Sequence, residues 1–179
     1  YKLAEKYFSD IINLDNNNST AYNNRGITKQ FQGKYSEAIL DYDKAIRLKP
    51  NDADFYNNRG FSKHSQSKYD EAILDYNKAI ELNPNSSEAY NNRGFSEHSQ
   101  GKYDESILDY NKAIELNPNY SEAYNNRGFS KYFQGKYDEA ILNYDKAIEL
   151  KPNDADFYEN RADVKQSMKD YQEALKDYD

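Results

Sequence analysis

The chain has 179 residues, with 24 Lys and Arg against 31 Asp and Glu, a formal net charge of -7, no cysteine and no tryptophan. An acidic balance without a basic stripe argues against nucleic acid, which needs clustered Lys and Arg. The missing cysteines remove disulfides and thiolate metal sites, and no apolar run of about 18 residues offers a membrane span, nor does the start read as a signal segment. The expectation is a soluble chain, with the cytoplasm its expected compartment. Apolar content is only 37%, and nineteen tyrosines and eight phenylalanines must carry much of the burial.

Residues 1–18 match the second half of a later unit, with Tyr1 on Tyr35, Ala4 on Ala38 and Ile12 on Ile46. From there the chain runs in steps of 34. Pro50, Pro84, Pro118 and Pro152 keep that step, as do Gly26, Gly60, Gly94 and Gly128. Gly33, Gly101 and Gly135 keep it too, with Ser67 in the vacant slot. Proline and glycine punctuate backbone, so a period written in them is a period of structure. The units are 19–52, 53–86, 87–120 and 121–154, followed by a partial unit 155–179, in a single array 1–179.

Within unit 87–120, residues 87–100 form a first helix with Ser/Asp caps and an acid, Glu88, in its first turn; Gly101 ends it. A second helix over 103–116 carries Ile107, Tyr110, Ala113 and Ile114 at helical spacing and stops before Pro118. About eleven helices follow for the whole chain. Helices of about 13 residues are marginal alone, so stacking must stabilise them. Residues 49–56 recur as 151–158, and 31–35 as 133–137, three units later. A copied three-unit block accounts for this, and recurrence by itself is therefore no sign of selection.

The unit Tyr22-x-x-Arg25-Gly26, Ala38-x-x-x-Tyr42, Ala45 and Pro50 resembles the tetratricopeptide repeat, W-x2-L-G-x2-Y, A-x3-F, P. That resemblance implies an all-α fold: a right-handed superhelical α-solenoid of stacked antiparallel helix hairpins, with the first helices lining a concave face. It places the small residues Gly26, Gly60, Gly94, Gly128 and Ala162 opposite Ala38, Ala72, Ser106, Ala140 and Ala174. Tyr42, Tyr76, Tyr110, Tyr144 and Tyr178 fill the aromatic slot between units. Two departures stand out. Arg25, Arg59, Arg93, Arg127 and Arg161 replace the family's Leu, and Lys29, Lys63, Glu97, Lys131 and Lys165 its Tyr. Folding the hairpin at the glycine brings Arg25 level with Asp41, and likewise Arg59 with Asp75, Arg93 with Asp109 and Arg161 with Asp177; Arg127 meets Asn143. The expectation is an arginine–carboxylate ladder of structural role.

Chemistry is scarce. His64 and His98 are period-related, and two such side chains could share an ion, yet no third histidine or cysteine assists; they read as surface histidines. Ser65 and Ser99 follow them directly and diverge by about 100° on a helix, which is no triad. Acid pairs such as Asp70-Glu71 suit helix N-termini, and no glycine-rich phosphate loop is present. No enzyme activity, cofactor or metal is expected.

By the resemblance, the concave face carries Thr20, Asn23, Ile27 and Gln30 in the first unit, and Asp54, Asn57, Phe61 and His64 in the second. The third supplies Glu88, Asn91, Phe95 and His98, and the fourth Glu122, Asn125, Phe129 and Tyr132. Asparagine amides suit a peptide backbone and the phenylalanines suit apolar anchors, while the alternative is that the rings pack between helices. The acidic rim favours a neutral or basic ligand. It does not fit the tetratricopeptide repeats that clamp acidic chaperone tails. The expected function is a non-catalytic scaffold for a protein or peptide partner; the alternative is a regulatory or oligomerisation module of a larger protein. No polar capping helix is read at either end, so further repeats or end-to-end self-association are expected.

Overall fold

A computed structural model describes residues 1–178; Asp179, the end of the partial unit 155–179, lies outside the described residues. Among them are eleven helices and no strand: α1 (Lys2–Leu14), α2 (Ser19–Gln30), α3 (Tyr35–Leu48), α4 (Ala53–His64), α5 (Tyr69–Leu82), α6 (Ser87–Ser99), α7 (Tyr103–Leu116), α8 (Ser121–Phe133), α9 (Tyr137–Leu150), α10 (Ala155–Ser167) and α11 (Tyr171–Tyr178). No described helix is long and apolar enough to cross a membrane.

Local chemistry sets the helix ends. Asn18 accepts the Ala21 N–H at 2.9 Å and Ser86 accepts the Ala89 N–H at 3.2 Å, each satisfying a donor that the first turn leaves open. Between the helices of a hairpin the chain reverses through a left-handed residue: Gly33, Gly101 and Gly135 at φ 72°, 76° and 73°. Ser67 and Lys169 occupy the same slot at φ 60° and 65°.

Residues 1–85 and 86–178 each form a compact unit. In the first, α1 to α5 pack in order and α2 also touches α4; in the second, α6 to α11 pack in order, and α8 touches both α6 and α10. Second helices of one unit do not touch one another. Within each unit, therefore, the first helices crowd together on the inner side and the second helices fan out on the outer side.

The core of each unit is a tyrosine laid over a glycine. Tyr42, Tyr76, Tyr110 and Tyr144 are buried, and a Cβ built on Gly26, Gly60, Gly94 or Gly128 would lie 2.6, 2.7, 3.0 or 2.9 Å from the ring. The sequence reading set these glycines against Ala38 and its equivalents. Instead the ring is the nearest neighbour, with the Ser106 and Ala140 carbonyls only slightly farther, at 3.1 and 3.2 Å from Gly94 and Gly128. Tyr178 departs from the expected slot: it is 51% exposed, and its hydroxyl donates to Asp163 at 2.8 Å. Ala162 holds the period position that glycine holds in the other hairpins.

The arginine ladder is present. Arg25 Nη2 meets Asp41 at 2.6 Å, Arg59 meets Asp75 at 2.5 Å, Arg93 meets Asp109 at 2.6 Å and Arg161 meets Asp177 at 2.5 Å. The Nε of each donates to the other carboxylate oxygen, giving a two-pronged pair. Each guanidinium also lies over the tyrosine three residues before it, as Arg59 does over Tyr56 at 5.5 Å. A further prong was not foreseen: Arg59 Nη1 reaches Asp43 at 2.6 Å and Arg161 Nη1 reaches Asp145 at 2.5 Å, tying one hairpin to the previous one. Lys29, Lys63 and Lys165 share the same aspartates at 2.9, 2.8 and 2.8 Å.

Candidate functional site

The inner faces are built from α2 and α4 in the first unit and from α6, α8 and α10 in the second. Along these helices the residues expected to contact a ligand separate into two kinds. Asn23, Asn57 and Asn91 are buried, and Asn125 is half-buried. Their amides link neighbouring first helices: Asn58 Nδ2 donates to Asn23 at 3.0 Å, Asn126 to Asn91 at 3.0 Å and Asn160 to Asn125 at 2.9 Å. Sequence reasoning missed Asn58, Asn126 and Asn160, although the Asn-Asn doublet that recurs with the period was the signal for the first two; Asn160 follows Glu159. Side chains bonded across the inter-helix seam hold the stack together, and the amide oxygens of Asn23, Asn91 and Asn125 each have a donor there.

Other expected residues are open. Asp54, Glu88 and Glu122 are exposed on the first turns, and Phe61 and Phe95 are each 41% exposed. Ile27 and Phe129 are half-buried. Burial disfavours the charge of Glu122, but its own N–H, Ser121 and Lys151, at 3.4 Å, outweigh this and lower its pKa.

In the second unit the rings gather. His98 stacks on Phe129 with centroids 4.8 Å apart, and Phe133 meets both His98 and Phe129 edge-on at 5.3 and 5.0 Å. Tyr103 stacks on Phe133 at 5.5 Å, and Tyr132 joins through Phe133 at 5.4 Å. Phe133 is half exposed, at 50%, and was not foreseen as part of this face. It ends α8 four residues after Phe129 and so shares its face, an i,i+4 spacing that was the signal available in the sequence. The first unit has a smaller counterpart, His64 against Tyr69 at 5.1 Å.

Neither histidine stands on open surface; both are half-buried and burial lowers the pKa of each. His98 is also oriented. Ser106 donates its hydroxyl to the Tyr103 carbonyl at 2.9 Å, Ser130 lies 2.9 Å from Ser106, and His98 Nδ1 lies 2.8 Å from Ser130. Each hydroxyl has one proton. With that of Ser106 on the carbonyl, Ser130 donates to Ser106 and His98 donates Nδ1–H to Ser130, leaving the Nε2 lone pair as an acceptor. Among the described residues no group of three or more His, Asp or Glu side chains is placed to hold a metal ion.

Models of the tetratricopeptide repeat match residues 32–66, 53–86, 75–107, 96–134 and 130–169, together covering 32 to 169. The chain belongs to the tetratricopeptide-repeat family. Helix pairing in each unit is that of the family's solenoids, and the fold resembles several solved ones. PilW, a widely conserved type IV pilus biogenesis factor, superposes with a TM-score of 0.91 at 20% identity over 99% of this chain and 82% of PilW. MamA gives 0.73 at 27% identity over 86% of this chain and 90% of MamA. YrrB, described as a tetratricopeptide-repeat protein with an unusual peptide-binding site, gives 0.70 at 22% over 95% and 88%. No curated protein sequence matches the chain. Tetratricopeptide-repeat membership leaves the partner open, because a fold of this kind serves many partners.

Proposed function

We propose that this tetratricopeptide-repeat chain is a protein-interaction scaffold that holds a peptide or partner segment on the inner face of its second unit. The observation that carries the reading is the ring cluster there. Phe133 is 50% exposed beside Phe129 and an oriented His98, and Phe95, 41% exposed, precedes His98 by one turn on α6, with the exposed carboxylates of Glu88 and Glu122 about two to three turns earlier on the same helices. Apolar rings left half open cost solvation that a bound side chain recovers, and aromatic anchors dominate recognition energetics. His98 Nε2 offers an acceptor to a ligand N–H. The acids favour a neutral or basic ligand.

Because the asparagine amides already bridge helices, recognition falls to the rings and His98 rather than to an asparagine ladder. Nothing in this reading needs a cofactor or a reacting group. The peptide-binding site in the description of YrrB supports a peptide as the ligand class. A peptide-display selection tests it: wild type should enrich peptides that carry an apolar anchor and neutral or basic flanks. A Phe95→Ala/Phe129→Ala variant, checked for intact helicity, should lose them. Enrichment of acidic peptides, or equal capture by the variant, would remove this face from the account.

A further inference from the structure

Folding does not explain the outer side of the second helices. Leu40 and Leu74 in the first unit, and Leu108 and Leu142 in the second, hold one position of the repeat; Leu108 is 68% exposed and the other three 67%. The buried sides of α7 and α9 are already filled by Tyr110 and Ala113, and by Tyr144 and Ala147. These leucines add nothing to that core.

The charged surroundings of Leu74, Leu108 and Leu142 are one-sided, whereas Leu40 has one acid, Glu37, before it and Lys44 one turn after it. Asp104 and Glu105 precede Leu108 by one turn, and Asp138 and Glu139 precede Leu142. The lysine one turn after each, Lys112 or Lys146, is turned away to Glu115 or Glu149 at 2.8 and 2.7 Å. Glu105 and Asp138 form no ion pair among the described residues, while Glu139 is paired with Lys131 at 2.8 Å and Asp104 accepts from Gln134 at 2.8 Å. In the first unit Leu74 follows Asp70 and Glu71, and Lys78 is likewise held by Glu81 at 2.7 Å.

We propose that this outer face docks a basic amphipathic helix of a partner protein, its apolar side on the exposed leucines and its Lys or Arg among the acids ahead of them. Charge selects that occupant. A second copy of a chain of net charge -7 would set acid against acid, and an anionic membrane surface would be repelled in the same way. Spacing suits a helix: α7 and α9 flank α8, packed helices lie about 8–10 Å apart, and the two leucines are then on the order of 10–20 Å apart. Two to three helical turns, at about 5.4 Å each, cover much of that span. The inner-face reading is independent, because it rests on other helices and on the opposite side.

The test is fluorescence anisotropy with a labelled 14-residue Leu/Lys peptide whose leucines fall on one helical face. A second peptide has the same composition with the leucines scattered. Wild type should bind the first peptide in preference to the second. A Leu40→Ser/Leu74→Ser/Leu108→Ser/Leu142→Ser variant should bind the first at least about tenfold more weakly, as expected for withdrawing partly buried leucine contacts. Phe95→Ala/Phe129→Ala should leave this binding unchanged. Four exposed positions leave the core intact, which melting curves of the variant check. Equal binding by the serine variant, no preference between the peptides, or loss in the phenylalanine variant instead would overturn the proposal. So would a concentration-dependent dimer of wild type that the serine variant lacks, since a second copy would then be the occupant.

Discussion

Arg127 donates its Nε–H to the amide oxygen of Asn143 at 2.7 Å, where every other arginine of the ladder meets an aspartate. Three consequences are visible. Burial leaves Arg127 with a lowered pKa while Arg59 and Arg161 are raised; the Asn143 Nδ2 turns to the Glu139 carbonyl at 2.7 Å; and Lys131 leaves the ladder for Glu139 at 2.8 Å. Asn143→Asp should restore the two-pronged pair and draw Lys131 back to the ladder, raising stability by about 1 kcal/mol once the cost of burying a carboxylate is deducted. Urea unfolding measures it. A loss of stability would mean that desolvation outweighs pairing at this site.

Glu97 stands where Lys29, Lys63 and Lys165 neutralise the ladder aspartate. Burial, then the charge of Asp109, push its pKa from 4.5 up to about 7, and its Oε2 is buried without a hydrogen-bond partner among the described residues. An acid whose folded pKa lies above its unfolded one is destabilising when ionised, so stability falls as pH rises from about 4.5 through about 7. The side chain is only half-buried, and solvent screening reduces the effect to about 1–2 kcal/mol. Wild type should therefore lose stability relative to Glu97→Gln between pH 5 and pH 8, and Glu97→Lys should gain at pH 7.5. Parallel melting-temperature profiles for wild type and Glu97→Gln would contradict this.

Gly60 separates two effects of opposite sign. Helix propensity alone would make Gly60→Ala stabilising by about 1 kcal/mol. The new Cβ, however, would sit 2.7 Å from Tyr76 Cε1, inside a buried contact. Overpacking of this kind costs about 1–3 kcal/mol, so a net loss is expected. Denaturant unfolding gives the sign directly, and a gain would show that the ring can move away.

Ser67 reverses the α4–α5 hairpin at φ 60°, in the slot that glycine holds elsewhere. A left-handed conformation costs a residue with a Cβ about 1–2 kcal/mol. Ser67→Gly should stabilise by about 1 kcal/mol after the entropy of a more flexible unfolded chain is counted. Gly33→Ser should do the reverse. Equal stabilities of Ser67→Gly and wild type in urea would show that the slot tolerates side chains without strain.

Much of this molecule was legible in its residues because the determinants are local. Proline, glycine and the capping side chains act within one hairpin, so the period of 34, the helix order and the level pairing of Arg25 with Asp41 could be obtained by counting about a tight turn. Even the end of α6, placed one residue beyond Ser99, missed only a fraying position.

What the sequence alone determined is therefore the hairpin: its two helices, its left-handed reversal and the ion pair across it. Only the tertiary structure decided how hairpins meet. It placed the tyrosine ring over the glycine, spent the asparagines on the seam between first helices, gave each of Arg59 and Arg161 its contact with the previous hairpin, and set His98 among Phe129, Phe133 and Tyr103. The physical reason is that contacts between hairpins depend on the crossing angle and rotation of packed helices, which the packing of all their side chains sets together and no residue spacing records.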